Sequence, residues 1–121
     1  MAIVPEFLIK RIYQKGSLKK LENGASIGLK NILGPGLISG FNYVKINDVT
    51  FTQENVTFTT NGKEYAGTEV SEDNPVVFRL GQSGVLTMNG QDCVVEGKNT
   101  IVIEALNPEA GIVRLNAEDN V

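Results

Sequence analysis

The stretch that most constrains the fold spans residues 25–49, where two apolar runs flank a glycine-proline-glycine break. In the first run Ile27, Leu29 and Leu33 share one parity, and small or polar residues occupy most positions between them. Such alternation predicts a half-buried β-strand, because successive side chains of a strand point to opposite faces. The second apolar run ends at residues 47–48, so the whole stretch predicts a strand, a tight turn and another strand.

The break itself is Gly34-Pro35-Gly36. Proline fixes one backbone dihedral angle and has no N–H donor, while glycine accepts angles that other residues resist. A reversal or corner is therefore predicted here. One interpretation is a plain β-corner; the other is a stiff apolar tip, flanked by Leu33 and Leu37, that is presented to a partner.

The rest of the chain repeats the pattern of short strands separated by turn signals. Asn-Gly, the strongest short hairpin signal, occurs at 23–24, 61–62 and 89–90. Threonine, valine and isoleucine, whose stiff side chains suit pleated sheets, are abundant, and we find no convincing helical period in any window. We predict one all-β domain over residues 1–121, an antiparallel two-sheet β-sandwich of about nine or ten short strands, with a closed barrel as the alternative.

Strands are expected wherever apolar residues alternate between turn signals, at 7–13 with a weaker, charged continuation at 16–21, and at 25–33, 37–46, 55–60, 63–66, 76–80, 85–88, 93–95, 100–106 and 112–117, with a short stretch at 49–51. The first of these is apolar on both faces, so we expect it to be central in a sheet or covered by another chain. Shared parity predicts a core that contains Ile27, Leu29, Phe58, Phe78, Ile101, Ile103, Val113 and Leu115.

Charge and hydropathy exclude several classes of protein. The formal net charge is −3, and no cluster of lysine and arginine is dense enough to neutralise a run of phosphates, so nucleic acid is not the expected partner. Pro5 and Glu6 interrupt the first apolar residues, which argues against a signal peptide. No run reaches the roughly 18 apolar residues of a membrane span, so we expect no membrane association.

The cysteine and histidine content limits the catalytic and metal-binding chemistry that this chain can perform. Without histidine, the chain cannot form a serine–histidine or cysteine–histidine pair or a zinc site of the usual kinds. Cys93 is the single cysteine, so an intrachain disulfide is impossible and a cytoplasmic location is expected. Its apolar neighbours Val94 and Val95 predict a buried, unreactive thiol.

The carboxylates are scattered along the sequence and do not suggest an acid and a base facing one substrate. The adjacent pairs Glu72-Asp73 and Glu118-Asp119 are interpreted as solvated loop or terminal charges. We therefore predict no catalytic, cofactor-binding or metal-binding residue in this chain.

Three segments of the sequence resemble a known family: VPEFLIKRIYQKGSL at 4–18, GLKNILGPGLISG at 28–40 and VKIND at 44–48. They are similar to the small β subunit of bacterial C-glycoside deglycosidases, and the similarity extends over nearly the whole chain. These segments are structural rather than catalytic in kind.

The resemblance implies an accessory, non-catalytic β subunit of a hetero-oligomeric carbon–carbon lyase. Such a lyase cleaves flavonoid-type 3-oxo-C-glycosides into an aglycone and an anhydro-keto-sugar. The larger TIM-barrel subunit is implied to hold the catalytic base and a divalent metal, manganese by expectation. The alternative interpretation is a stand-alone β-sandwich module that binds carbohydrate or another protein.

The residues and the resemblance together predict a partner interface. The first apolar segment and the glycine-proline corner supply its residues: Phe7, Leu8, Ile12, Tyr13, Leu33, Pro35, Leu37, Ile38 and Phe41. A permanent complex of this kind should bury on the order of 2,000 Å² in total.

Overall fold

Antiparallel strands dominate the computed structural model, which describes residues 5–34 and 36–121. The strands in this part of the chain are β1 (Lys19–Leu21), β2 (Gly24–Lys30), β3 (Leu37–Ile38), β4 (Gly40–Ile46), β5 (Val49–Phe51), β6 (Val56–Thr60), β7 (Lys63–Ala66), β8 (Val76–Val77), β9 (Ser83–Asn89), β10 (Lys98–Asn107) and β11 (Gly111–Asn120). The helical elements are α1 (Glu6–Ile9) and two short 3-10 turns, Lys10–Ile12 and Gln53–Asn55. The predicted all-β class is confirmed.

Two larger sheets and one small ribbon account for these strands. The five-stranded sheet has the order β1-β2-β9-β6-β7, and the four-stranded sheet has the order β11-β10-β4-β5. The ribbon pairs β3 with β8, so the chain crosses from one sheet to the other through the corner that follows β2. The antiparallel two-sheet sandwich is thus as predicted, whereas the ribbon was not anticipated.

Aromatic rings join the two sheets at the centre of the core. Phe41 on β4 lies 5.9 Å, centroid to centroid, from Phe58 on β6, and Phe58 meets Phe78 edge-on at 5.3 Å. Edge-to-face contacts of this kind are favoured by the ring quadrupoles. The predicted core is confirmed except at Val113, which is only half-buried.

Two of the Asn-Gly signals illustrate how turn chemistry sets strand register. Asn61-Gly62 forms the predicted two-residue turn between β6 and β7, with φ angles of 52° and 75°. The β1–β2 turn instead uses residues 22–23, because Gly24 belongs to β2, where an added Cβ would lie 2.0 Å from the carbonyl oxygen of Met88. That glycine therefore permits close strand packing rather than a turn.

The prediction of a strand over residues 7–13 is wrong, because most of α1 and the whole of the first 3-10 turn lie there. The carbonyl oxygen of Pro5 accepts the N–H groups of Leu8 and Ile9 at 3.0 and 3.2 Å, which starts the helix. Ile9, Ile12 and Tyr13 have the i, i+3, i+4 spacing of one helical face, and this face packs toward the core. Within the described residues, no helix has the length and apolar character needed to cross a membrane.

The prediction of a strand over residues 93–95 is also wrong, because these residues form a loop. Its backbone groups bond to side-chain amides instead of a neighbouring strand. The fully buried Asn99 accepts the N–H of Val95 at 2.8 Å and donates to the carbonyls of Val95 and Gly97, while Asn47 donates to the carbonyl of Cys93. Such side-chain bonds compete with a strand ladder and stabilise the loop.

Candidate functional site

An apolar cleft of about 340 Å³ opens at one end of the sandwich, between the two large sheets. Its floor comes from both sheets: Leu29 on β2, Ile103 on β10 and Leu115 on β11. Ile9 and Ile12 of the N-terminal segment form one wall. The cleft is therefore a gap in the core that the chain's own side chains leave open.

A row of exposed apolar side chains adjoins the mouth of the cleft, and we call it the apolar ridge: Leu33, Leu37, Val77 and Leu80. Their exposed fractions are 39%, 40%, 41% and 61%. Leu37 and Val77 are register partners on β3 and β8, so they stand side by side. Leu33 and Leu37 line the cleft, and Leu37, Val77 and Leu80 line a second groove beside it. The ridge and the cleft form one continuous apolar surface.

The buried side chain of Asn31 shapes the corner that holds the ridge. Its Nδ2 donates to the carbonyls of Gly34 and Phe78, both at 2.6 Å, and its Oδ1 accepts the N–H groups of Leu33 and Gly34. These bonds connect the corner to the segment that follows β8. The strand predicted over 25–33 contains Asn31 but gave no hint of this role, although an amide among apolar residues at a strand end was a usable signal.

A clasp between Tyr13 and Asp119 holds the N-terminal segment against β11. The hydroxyl of Tyr13 donates to Oδ2 of Asp119 at 2.6 Å, and the N–H groups of Gly16 and Leu18 donate to the same oxygen at 2.8 and 3.4 Å. Burial of Asp119 opposes ionisation, but the bonds from Tyr13, Gly16, Asn120 and Leu18 outweigh it and lower the pKa of the carboxyl. Burial, and next the bond to Asp119, raises the pKa of Tyr13.

The clasp corrects the interpretation of Glu118-Asp119 as a solvated pair. Glu118 is exposed and pairs with Lys98 at 2.7 Å, whereas Asp119 is buried. Alternation along β11 turns one side chain outward and the next inward. Asp119 is thus a structural anchor for the wall of the cleft.

The structure brings five residues of the predicted interface together in the lining of the cleft: Ile12, Leu33, Leu37, Ile38 and Phe41. Three other predicted interface residues lie elsewhere. Phe7 is 71% exposed, Leu8 is half-buried and Tyr13 is buried in the clasp. Pro35 lies outside the described residues. Contact of any of these residues with a partner stays a prediction.

Other polar groups form structural contacts away from the cleft. The carboxylate of Glu104 accepts bonds from Arg114 and from Asn42, the latter at 2.8 Å, and the bond from Arg114 is the main reason that its pKa is lowered. Cys93 is buried as predicted, and burial raises the pKa of its thiol. In the described part of the chain, no three histidine, cysteine, aspartate or glutamate side chains cluster as metal ligands would.

Fold and surface together place the chain among β-sandwich domains that have an open apolar end. The model of the family described as hydroxymethylglutaryl-CoA reductase, N-terminal domain, matches residues 8–121, and the chain belongs to this family. No curated protein matches the chain.

This match overturns the expected kinship with the small subunits of C-glycoside deglycosidases. The predicted role in cleaving 3-oxo-C-glycosides is therefore also wrong. The match gives no support to a stand-alone carbohydrate-binding or interaction module. The segments that suggested the resemblance have structural roles here: residues 4–18 include α1 and the clasp tyrosine, and 28–40 include the corner.

Proposed function

We propose that this chain is a non-catalytic domain of a hydroxymethylglutaryl-CoA reductase system, and that it docks through the apolar ridge on the catalytic part. The family description, which names an N-terminal domain of that enzyme, supports the identity of the partner. The ridge is the observation that supports docking, because exposed apolar patches next to a cleft mark interaction surfaces.

The energetics of the ridge favour burial against another surface. Fully burying an exposed leucine or valine side chain is worth about 1.5–3 kcal/mol, so covering the 39–61% that each of the four ridge residues still exposes is worth about half of that apiece. The bonds of Asn31 fix the corner beneath them, so little conformational entropy is lost when a partner binds. An apolar, pre-organised surface of this kind suits a lasting contact.

The buried carboxylates support a role without chemistry of its own. Asp119 and Glu104 are the buried acids of the described residues, and each is committed to hydrogen bonds within the fold. A general acid or base must instead reach a substrate atom. We therefore expect the reaction to be carried out by the partner.

Three further expectations stay as predictions. Two of them, a TIM-barrel architecture and a manganese ion on the partner, came from the resemblance to deglycosidase subunits. A cytoplasmic location is supported by Cys93, a buried thiol and the single cysteine of the chain.

The proposal is tested by mixing this chain with the separately purified catalytic part of the reductase from the same source. Complex formation is measured by sedimentation velocity, and reduction of hydroxymethylglutaryl-CoA is measured with and without this chain. We expect a stable complex for the wild-type chain. The double variant Leu37→Asp, Leu80→Asp should weaken binding by more than roughly tenfold, because charged side chains would replace two apolar anchors.

Val85→Asp is the matched control. Val85 lies on β9 and is 46% exposed, close to the 40% of Leu37, but it does not line the cleft or the groove beside the ridge. The control should bind like the wild type. A wild-type chain that forms no complex, or a ridge variant that binds normally, would refute the proposal.

A further inference from the structure

We propose that the cleft itself binds a small molecule with an uncharged aliphatic chain, a function separate from docking at the ridge. The argument depends on the size of the cleft, on the chemistry of its lining and on the charge at its mouth.

The size of the cleft is that of a ligand site. Small-molecule pockets in proteins are typically about 300–1,000 Å³ and mostly apolar, and this one measures about 340 Å³. An apolar cavity of about 150 Å³ already admits benzene and stays free of water. By that scale the cleft has room for an apolar group of roughly a dozen carbon atoms.

The shape of the cleft favours a single flexible chain over the surface of a folded partner. The floor residues Leu29, Ile103 and Leu115 are only 5–6% exposed, so each presents only a small part of its side chain to the cleft. A thin aliphatic chain can lie along all three side chains. The exposed ridge, by contrast, is accessible to a broad protein surface.

The two side-chain amides of the lining are already occupied. All hydrogen-bonding atoms of the Asn31 amide bond to the corner and to Phe78. Asn107 donates to the carbonyl of Leu37 at 2.9 Å and accepts the N–H groups of Glu109 and Ala110 at 2.9 and 2.8 Å. A polar group placed inside would lose its bonds to water without replacement, which is costly. The enclosed part of the ligand is therefore aliphatic.

The charge at the mouth of the cleft determines which head group the ligand can carry. Glu109 lies in the lining, and no lysine or arginine of the described residues lines the cleft with it. A carboxylate or phosphate head would meet like charge, whereas a hydroxyl head would not. An uncharged head group is thus preferred over an anionic one.

The test uses the 121-residue chain alone, with decanol as the probe and decanoate as the anionic comparison. Methyl resonances are followed by NMR during titration. Decanol should give saturable shifts confined to the cleft methyls, such as those of Leu29, Ile103 and Val113. Decanoate should bind more weakly, and Glu109→Gln should reduce the difference between the two probes.

Ala110→Phe fills the cleft and should weaken decanol binding by roughly tenfold or more, which corresponds to about 1.4 kcal/mol. Ala66→Phe is the control, because Ala66 is also half-buried but lies on β7, outside the cleft. If Ala110→Phe does not fold, Ala105→Leu provides a second filling variant in the same lining. A lack of saturable shifts, shifts spread over the whole core, or unchanged binding by the filling variant would overturn the inference.

Because no partner is present in this experiment, a negative result leaves docking at the ridge untouched. Equally, a ridge that fails to dock would not affect binding of decanol. The two proposals are therefore separable.

Discussion

The middle of the sandwich and its open end differ in how completely their apolar side chains are covered. Phe58, Leu86 and Met88 in the middle are fully enclosed by the two sheets, whereas Leu33 and Leu37 at the open end remain substantially exposed beside an unfilled cleft. Natural interiors are close-packed, whereas at the open end the chain's own side chains leave apolar groups of both sheets uncovered. The difference is the basis of our proposal that the middle provides folding energy and the open end provides a surface for binding.

The largest expected effect is on the middle of the sandwich. Phe58→Ala should lower the free energy of unfolding by about 3–5 kcal/mol, since the ring contacts both Phe41 and Phe78 and leaves a cavity when removed. Denaturant unfolding followed by circular dichroism measures this. A loss below about 1 kcal/mol would mean that the core is not centred on this ring.

A smaller effect is expected at the clasp that forms one wall of the open end. Asp119→Asn should cost about 2–3 kcal/mol at neutral pH, because a charged acceptor of several hydrogen bonds is removed. The exposed neighbour Glu118, changed to glutamine, is the control and should remain close to wild type in denaturant unfolding.

The clasp also predicts a pH dependence. The folded pKa of Asp119 is lowered, so its stabilisation is complete above the unfolded pKa of about 3.9 and is lost as the pH falls through the lower folded value. Unfolding of the wild type should therefore become easier below about pH 4, and Asp119→Asn should lack this component. Identical acid profiles for the two proteins would contradict the role of Asp119.

A matched pair of valines compares the two regions directly. Val44 is fully buried on β4, and Val113 is half-buried at the cleft. Val44→Ala should cost about 1.5–2.5 kcal/mol, and Val113→Ala less than about 1 kcal/mol, because truncation at the cleft only enlarges an existing gap. Chemical denaturation of both variants gives the comparison, and equal losses would remove the distinction between the regions.

The smallest effect on stability is expected at the ridge. Leu37→Asp should change the free energy of unfolding by no more than about 0.5 kcal/mol, because the side chain is already substantially exposed. Its thermal unfolding midpoint should match that of the wild type. A marked fall would show that Leu37 belongs to the core rather than to a binding surface.

The same two regions differ in how far the sequence predicts them. Alternating apolar residues predicted β2 and β10, because a strand buried on one face needs only local information. In the N-terminal segment, Ile9 and Tyr13 also share the parity of a strand. Their helical spacing with Ile12 was therefore overlooked. Local pattern was sufficient in the sheets and ambiguous at the open end.

Only the part of the site that is formed by residues close together in the sequence could be predicted. The corner supplied Leu33 and Leu37 to the predicted interface, whereas Val77 and Leu80 join the ridge through the pairing of β3 with β8. Tyr13 and Asp119 are 106 positions apart, and no local pattern predicts that they meet. The cleft depends on such distant contacts, so its shape could not be derived from the sequence.

Amide hydrogen exchange of this chain, free and mixed with the catalytic part of the reductase, tests most directly the claim that the open end is the binding surface. The account predicts new protection at residues 36–38 and 76–80, which contain β3, β8 and three of the four ridge residues, and unchanged exchange in β7 at the far edge of the five-stranded sheet. Protection that appears on β7 while the ridge exchanges as in the free chain would contradict it.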